Sequence, residues 1–220
     1  RALKQSYYWP SMKADCRRWL DDCPECELQK ATRNEAHALF STKPLAAPRS
    51  RWCMDFQGMG KALAGEHEVL AFIDSTARFV VVCPLAGRSS ELFVPAFLDD
   101  VVFKRGAPEI LHSDDAPEFL SEALRILSES AHIARASTLG RRARGNAQME
   151  VWRRYWNRCM RLLPDSHYAQ WPRFAQRIAF CYNTASHASL GDSSPFELFY
   201  GVPAINPYTT GPALADLDDP

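Results

Sequence analysis

Between residues 51 and 85 three short runs follow one another closely: RWCMDFQ (51–57), HEVLAFIDS (67–75) and RFVVVCPL (78–85). Each is rich in β-branched, aromatic and other apolar residues, and Gly-containing or polar breaks separate them. This pattern predicts three strands joined as a meander.

After residue 85 the pattern changes. Ser89–Ser90–Glu91 opens a helical spacing carried by Leu92, Phe93, Ala96, Phe97, Val101 and Val102, and Gly106 stops it. Ile110–Leu111–His112 reads as a short fourth strand, residues 118–130 as a second helix, and His132–Ile133–Ala134 as a fifth strand. A Gly- and Arg-rich loop (140–146) leads into a long helix over about 147–163, and another helix covers about 168–186. On the long helix Met149, Trp152, Trp156 and Leu163 recur at helical spacing, the mark of a stripe turned to the core. Strands and helices in this order predict an α/β chain with a mixed sheet.

The 220 residues suffice for one well-buried core and a smaller appendage. Residues 7–30 form that appendage, an aromatic and cysteine-bearing segment with Trp9, Met12, Cys16, Trp19 and Leu20 near helical spacing. Residues 31–50 read as a linker, 51–203 as the core with its following helices, and 204–220 as a disordered, finally acidic tail. Seven scattered cysteines make no disulfide framework, which predicts reduced thiols and an intracellular protein. No apolar run approaches the roughly 20 residues that cross a bilayer, and no secretory signal is visible, so no membrane partner is expected.

The formal net charge is zero, which hides a basic stripe: from Arg135 to Arg161 there are eight arginines against one acid, Glu150. Three acids stand out by position. Asp55 lies inside the first strand, Asp114 just past the fourth, and Glu150 near the start of the long helix. If strands one and four are neighbours, Asp55 and Asp114 meet, and a helix across that edge can supply Glu150. Converging carboxylates repel one another unless a cation sits between them. Hard oxygen ligands with room for water and phosphate suit Mg²⁺ or Mn²⁺. Plainer roles stay open: an edge-strand aspartate for Asp55, a turn or cap for Asp114, and an ion pair with Arg154 for Glu150.

Thirty-five residues separate Asp114 from Glu150, and Trp52 precedes Asp55 as W-x-x-D. With YYWPSM and C-P-E-C-x-x-x-K upstream, FIDSTARFVVVCPL, HSDDAPEF, AQMEVWRRYWNRCMRLL and the segment from Phe180 to Gly201, the chain resembles the integrases of retroviruses and gypsy-type LTR retrotransposons. The resemblance spans about residues 7–203 and implies a ribonuclease-H-like mixed five-stranded sheet flanked by helices, after a remnant of a zinc-binding module in residues 1–30. It implies that Asp55, Asp114 and Glu150 are the catalytic metal ligands for 3′-end processing and strand transfer into target DNA, in the nucleus, by a homo-oligomer. Arg142, Arg144, Arg154 and Arg158 would hold phosphates. Asn146 and Gln148, on the loop beside Glu150, would contact bases or sugars.

Cys23 and Cys26 have the spacing of half a zinc site, which the resemblance completes with two upstream histidines; zinc is expected only where those are present. A set of Cys16, Cys23, Cys26 and His37 fits no common finger. Two departures from the family pattern stand out. Ala116 replaces the usual glycine after the second aspartate, and GRRARGNAQ lacks the usual His-Pro-Gln run. They keep two other readings open: a decayed or domesticated integrase fold that binds DNA without joining it, and a related ribonuclease-H-like nuclease or transposase.

Overall fold

The computed structural model describes residues 8–21, 47–113, 119, 121–137 and 147–205. The chain divides into two compact units, Phe40–Val202 and a smaller one made of Arg1–Leu39 and Pro203–Pro220. In the smaller unit the segment expected near residue 15 is helix α1 (Met12–Asp21). Asp15 receives the Ser11 hydroxyl at 2.6 Å and the Trp9 indole N–H at 2.8 Å. Those two hydrogen bonds hold its carboxyl below the usual range. An acid in a first helical turn also suits the helix dipole.

The larger unit is built on strands β1 (Arg51–Gly58), β2 (Glu68–Asp74), β3 (Val80–Leu85), β4 (Ile110–Ser113) and β5 (Ala134–Ser137). They form one sheet in the order β3-β2-β1-β4-β5. The meander β1–β2–β3 is antiparallel, whereas β1/β4 and β4/β5 are parallel. Helix α2 (Ser90–Phe97) continues through a π-helical stretch (Leu98–Val102) and a last turn to Arg105. Then come α3 (Glu122–Ser130), α4 (Ala147–Arg161), α5 (Asp165–Tyr168), α6 (Pro172–Thr184) and α7 (Pro195–Tyr200).

Strand alternation sorts the core into two layers. Trp52, Met54 and Phe56 of β1 join Leu70 and Phe72 of β2 and Phe93, Phe97 and Val101 of the α2 run on one face. Cys53 joins Val69, Ala71 and Ile73 on the other, under Trp152 and Trp156 of α4 and Ala175, Ile178 and Tyr182 of α6. Both tryptophans of α4 are almost wholly buried. Truncating either to alanine costs roughly 3–5 kcal/mol, so α4 is firmly seated. The period of two therefore turns Asp55 toward the layer that α4 covers.

Three boundaries differ from the sequence expectation. The fifth strand begins at Ala134 rather than His132, because His132 takes a positive φ of 54° and Ile133 donates back to Ser128 to close α3. Helix α3 starts at Glu122, where the Ser121 side chain accepts from the Leu124 amide. The helix expected from about residue 168 begins at Pro172, which lacks an amide proton and sits at the first turn of α6, after the separate short helix α5.

Strand β3 is a sheet edge, and α6 closes it with side-chain amides. Asn183 accepts the Val80 N–H and donates to the Val80 carbonyl, both at 2.8 Å, and Gln176 donates to the Val82 carbonyl at 2.8 Å. A sheet edge left open is a template for unwanted pairing, and here two amides seven residues apart on one helix cover it.

Candidate active site

Asp55 occupies the central strand and is 8% exposed. Its Oδ2 lies 2.9 Å from Nη2 of Arg153 on α4. The same nitrogen donates to the Phe56 carbonyl at 2.8 Å. Arg153 thus ties β1 to the helix that carries Glu150, which lies one turn N-terminal to it on a neighbouring part of the same face. Glu150 is exposed and makes no ion pair among the described residues, so the plain pairing with Arg154 is not formed. Gln148 donates its amide to the Ser75 carbonyl at 2.7 Å, pinning the first turn of α4 to the β2–β3 turn.

The parallel register of β1 and β4 pairs Cys53 with His112. Asp55 and Asp114 each follow their member of that pair by two residues in sequence. Asp114 itself lies outside the described residues, as do Arg142, Arg144, Asn146, Cys23 and Cys26. Among the described residues no three His, Cys, Asp or Glu side chains come together as a metal cluster. Arg154 and Arg158 are exposed on α4 and form no ion pair there.

Beside Asp55 opens a cleft of about 360 Å³ lined by Asp55, Phe56, Gln57, Gly58, Arg88, Arg153 and Asn157. Its lining is polar, with two arginines and one aspartate. Arg88 is fixed there by Glu68 at 3.0 Å and lies over the Phe56 ring. Gln57 donates to Asn157 across the cleft from β1 to α4. Arg153, Arg88, Gln57 and Asn157 were not marked by the sequence reading. A signal for two of them existed: Arg153 and Asn157 follow Glu150 at spacings of three and seven, on the stripe beside it.

A five-stranded mixed sheet in this order, with a carboxylate on its central strand and a helix crossing it, defines the ribonuclease-H-like class. Solved structures agree on the fold. The chain superposes on the HTLV-2 integrase catalytic core domain with a TM-score of 0.53 at 15% identity, covering 70% of this chain and 98% of that one. The BIV integrase catalytic core gives 0.54 at 15% identity, covering 70% and 95%. Residues 46–139 match the family model of the integrase core domain, and residues 1–32 that of the integrase zinc binding domain. Together the two matches span more than half of the chain.

Relatives point the same way. The chain is 24% identical over 174 residues to the Gag-Pol polyprotein of avian reticuloendotheliosis virus, covering 78% of this chain and 15% of the polyprotein. It is 19% identical over 212 residues to the Pro-Pol polyprotein of simian foamy virus type 3, covering 96% and 18%. The retrovirus-related Pol polyprotein from transposon 412 of Drosophila melanogaster is 20% identical over 200 residues, with 90% and 16% covered. The chain spans less than a fifth of these relatives. Its two matched segments are similar to integrase domains, and its relatives are polyproteins of retroviruses and of a retrotransposon.

Proposed function

We propose that the chain is the catalytic segment of a DNA integrase, which trims a retroelement's 3′ ends and joins them to target DNA in the nucleus. The observation that carries this reading is the buried Asp55 on the central strand, tied by Arg153 to the helix bearing Glu150. A buried carboxylate on the central strand and an exposed glutamate on the helix tied to it are hard-oxygen donors, the kind that suits a divalent cation. Asp55, Asp114 and Glu150 would hold magnesium or manganese. Such ions, when bound, act as Lewis acids on the attacking and leaving oxygens of an in-line phosphoryl transfer.

The protein's own part is positioning. Trp152 and Trp156 seat α4 rigidly, and Gln148 fixes its first turn, so Glu150 has a defined place relative to β1. Arg154 and Arg158, exposed and without ion-pair partners among the described residues, would take phosphates together with Arg142 and Arg144, and Asn146 would contact bases or sugars. Each phosphate neutralised steepens the salt dependence of binding. Cys23 and Cys26, within the match to the zinc binding domain, would supply two of four zinc ligands. Paired DNA ends call for a homo-oligomer.

The test is strand transfer on a short duplex with Mg²⁺ or Mn²⁺, using the chain alone and extended upstream, beside Asp114→Asn and Glu150→Gln. Joining in the parent that drops at least about a hundredfold in both variants supports the reading, since a ligand carboxylate acts on the transition state. A folded chain that binds DNA without joining it would replace this reading with a binding role. Cutting without joining would favour a ribonuclease-H-like nuclease.

A further inference from the structure

Arg153 and Arg88 both line the cleft beside Asp55, but they are held differently. Arg88 is clamped by Glu68 at 3.0 Å and by the Phe56 ring. Arg153 is held through a single nitrogen, Nη2, shared between Asp55 and the Phe56 carbonyl. Its remaining nitrogens make no hydrogen bond among the described residues, and its side chain is 44% exposed against 10% for Asp55. A buried carboxylate requires a countercharge, and here that charge sits on a long stem with solvent beside it.

We infer that Arg153 is a stand-in cation: it neutralises Asp55 while no divalent ion is bound, yields the carboxylate when one arrives, and turns its guanidinium to a DNA phosphate in the cleft. The inference rests on reading Asp55 as a metal ligand. Two cations on one carboxylate repel each other, so ion and guanidinium compete for it. The loser must be the one with somewhere to go. Arg153 can leave without unseating α4, which Trp152 and Trp156 hold to the sheet. Its planar fork then suits a phosphate oxygen pair. Reciprocity follows, since a phosphate that draws Arg153 away must tighten the ion's hold on Asp55 by the same factor.

Mn²⁺ titration followed by electron paramagnetic resonance tests this without reading activity, on the parent, Arg153→Gln, Arg153→Lys and Asp55→Asn, each checked for folding by circular dichroism. Arg153→Gln is expected to bind Mn²⁺ about tenfold more tightly than the parent, the low end of what one neighbouring charge does to a carboxylate's affinity for a proton. Arg153→Lys, which keeps the charge, should stay near the parent, and Asp55→Asn should lose the site. A duplex should tighten Mn²⁺ binding less in Arg153→Gln than in the parent. If Arg153→Gln binds Mn²⁺ no better than the parent while Asp55→Asn abolishes binding, the metal site stands and the role of Arg153 falls. If Asp55→Asn binds as the parent does, or none binds at all, the metal reading falls and this inference with it.

Discussion

Two aspartates lie on neighbouring strands of the same sheet, and their surroundings differ in kind. Asp74, at the end of β2 opposite Trp52, is wholly buried. Its oxygens accept the backbone N–H groups of Arg49 at 2.6 Å, Thr76 at 3.0 Å and Ala77 at 2.5 Å. Asp55, three residues along β1 from Trp52, is held by an arginine side chain that reaches in from a half-exposed position on α4. Backbone donors are part of the fold: they reach Asp74 only once the turn after β2 and the approach to β1 are in place. A side-chain donor can depart and leave the fold intact. The first arrangement closes a structure, and the second keeps a charged oxygen available for exchange.

The sharpest way to break this contrast is Asp74→Ala, which strands three backbone donors. At roughly 1–3 kcal/mol for each buried donor left unpaired, the loss should reach about 3 kcal/mol, read as a shift of the denaturant midpoint. A loss below about 1 kcal/mol would mean that water reaches the turn and that Asp74 does not hold it together. The pH dependence refines the point. Burial pushes the Asp74 carboxyl above its ordinary range, and the three N–H bonds pull only partly against it. With the folded value raised, the protonated form is the one the fold favours. Its contribution is fully present below the unfolded value and is lost as pH rises through the raised one. The stability gap between the parent and Asp74→Ala should therefore narrow across that window, and a gap that widens with pH would show the N–H bonds outweighing burial.

Much of the frame was legible because it obeys local rules. The meander, the α/β alternation and the apolar stripe of α4 follow from periods of two and about 3.6, and those periods survive folding unchanged. Asp55 stood out as a charged residue inside a predicted strand, flanked by Met54 and Phe56. Asp74 did not stand out, since its partners are backbone groups that have no sequence signature. The break before α6 was readable at Pro172 and was overridden by the apolar spacing around it. The tie from Arg153 to Asp55 was out of reach: it joins positions 98 residues apart and depends on the rotation at which α4 settles on the sheet. The amides of Asn183 and Gln176 were hidden likewise, because nothing local marks β3 as an edge.

The smallest expected effect completes the contrast. Asp55→Asn keeps the shape and an oxygen that can accept from Arg153, and it removes one buried negative charge. Losing half of a fully buried ion pair is costly because the other half is stranded. Arg153 is not stranded, because water already reaches its guanidinium. Screening of that kind leaves exposed pairs worth about 0–1 kcal/mol, and relief from the cost of burying Asp55 works in the opposite direction. The denaturant midpoint should therefore move by less than about 1 kcal/mol, in either direction. Strand transfer by the same variant should vanish, as the proposed ligand role requires. A loss near that of Asp74→Ala would place both aspartates in the framework and remove the distinction between them.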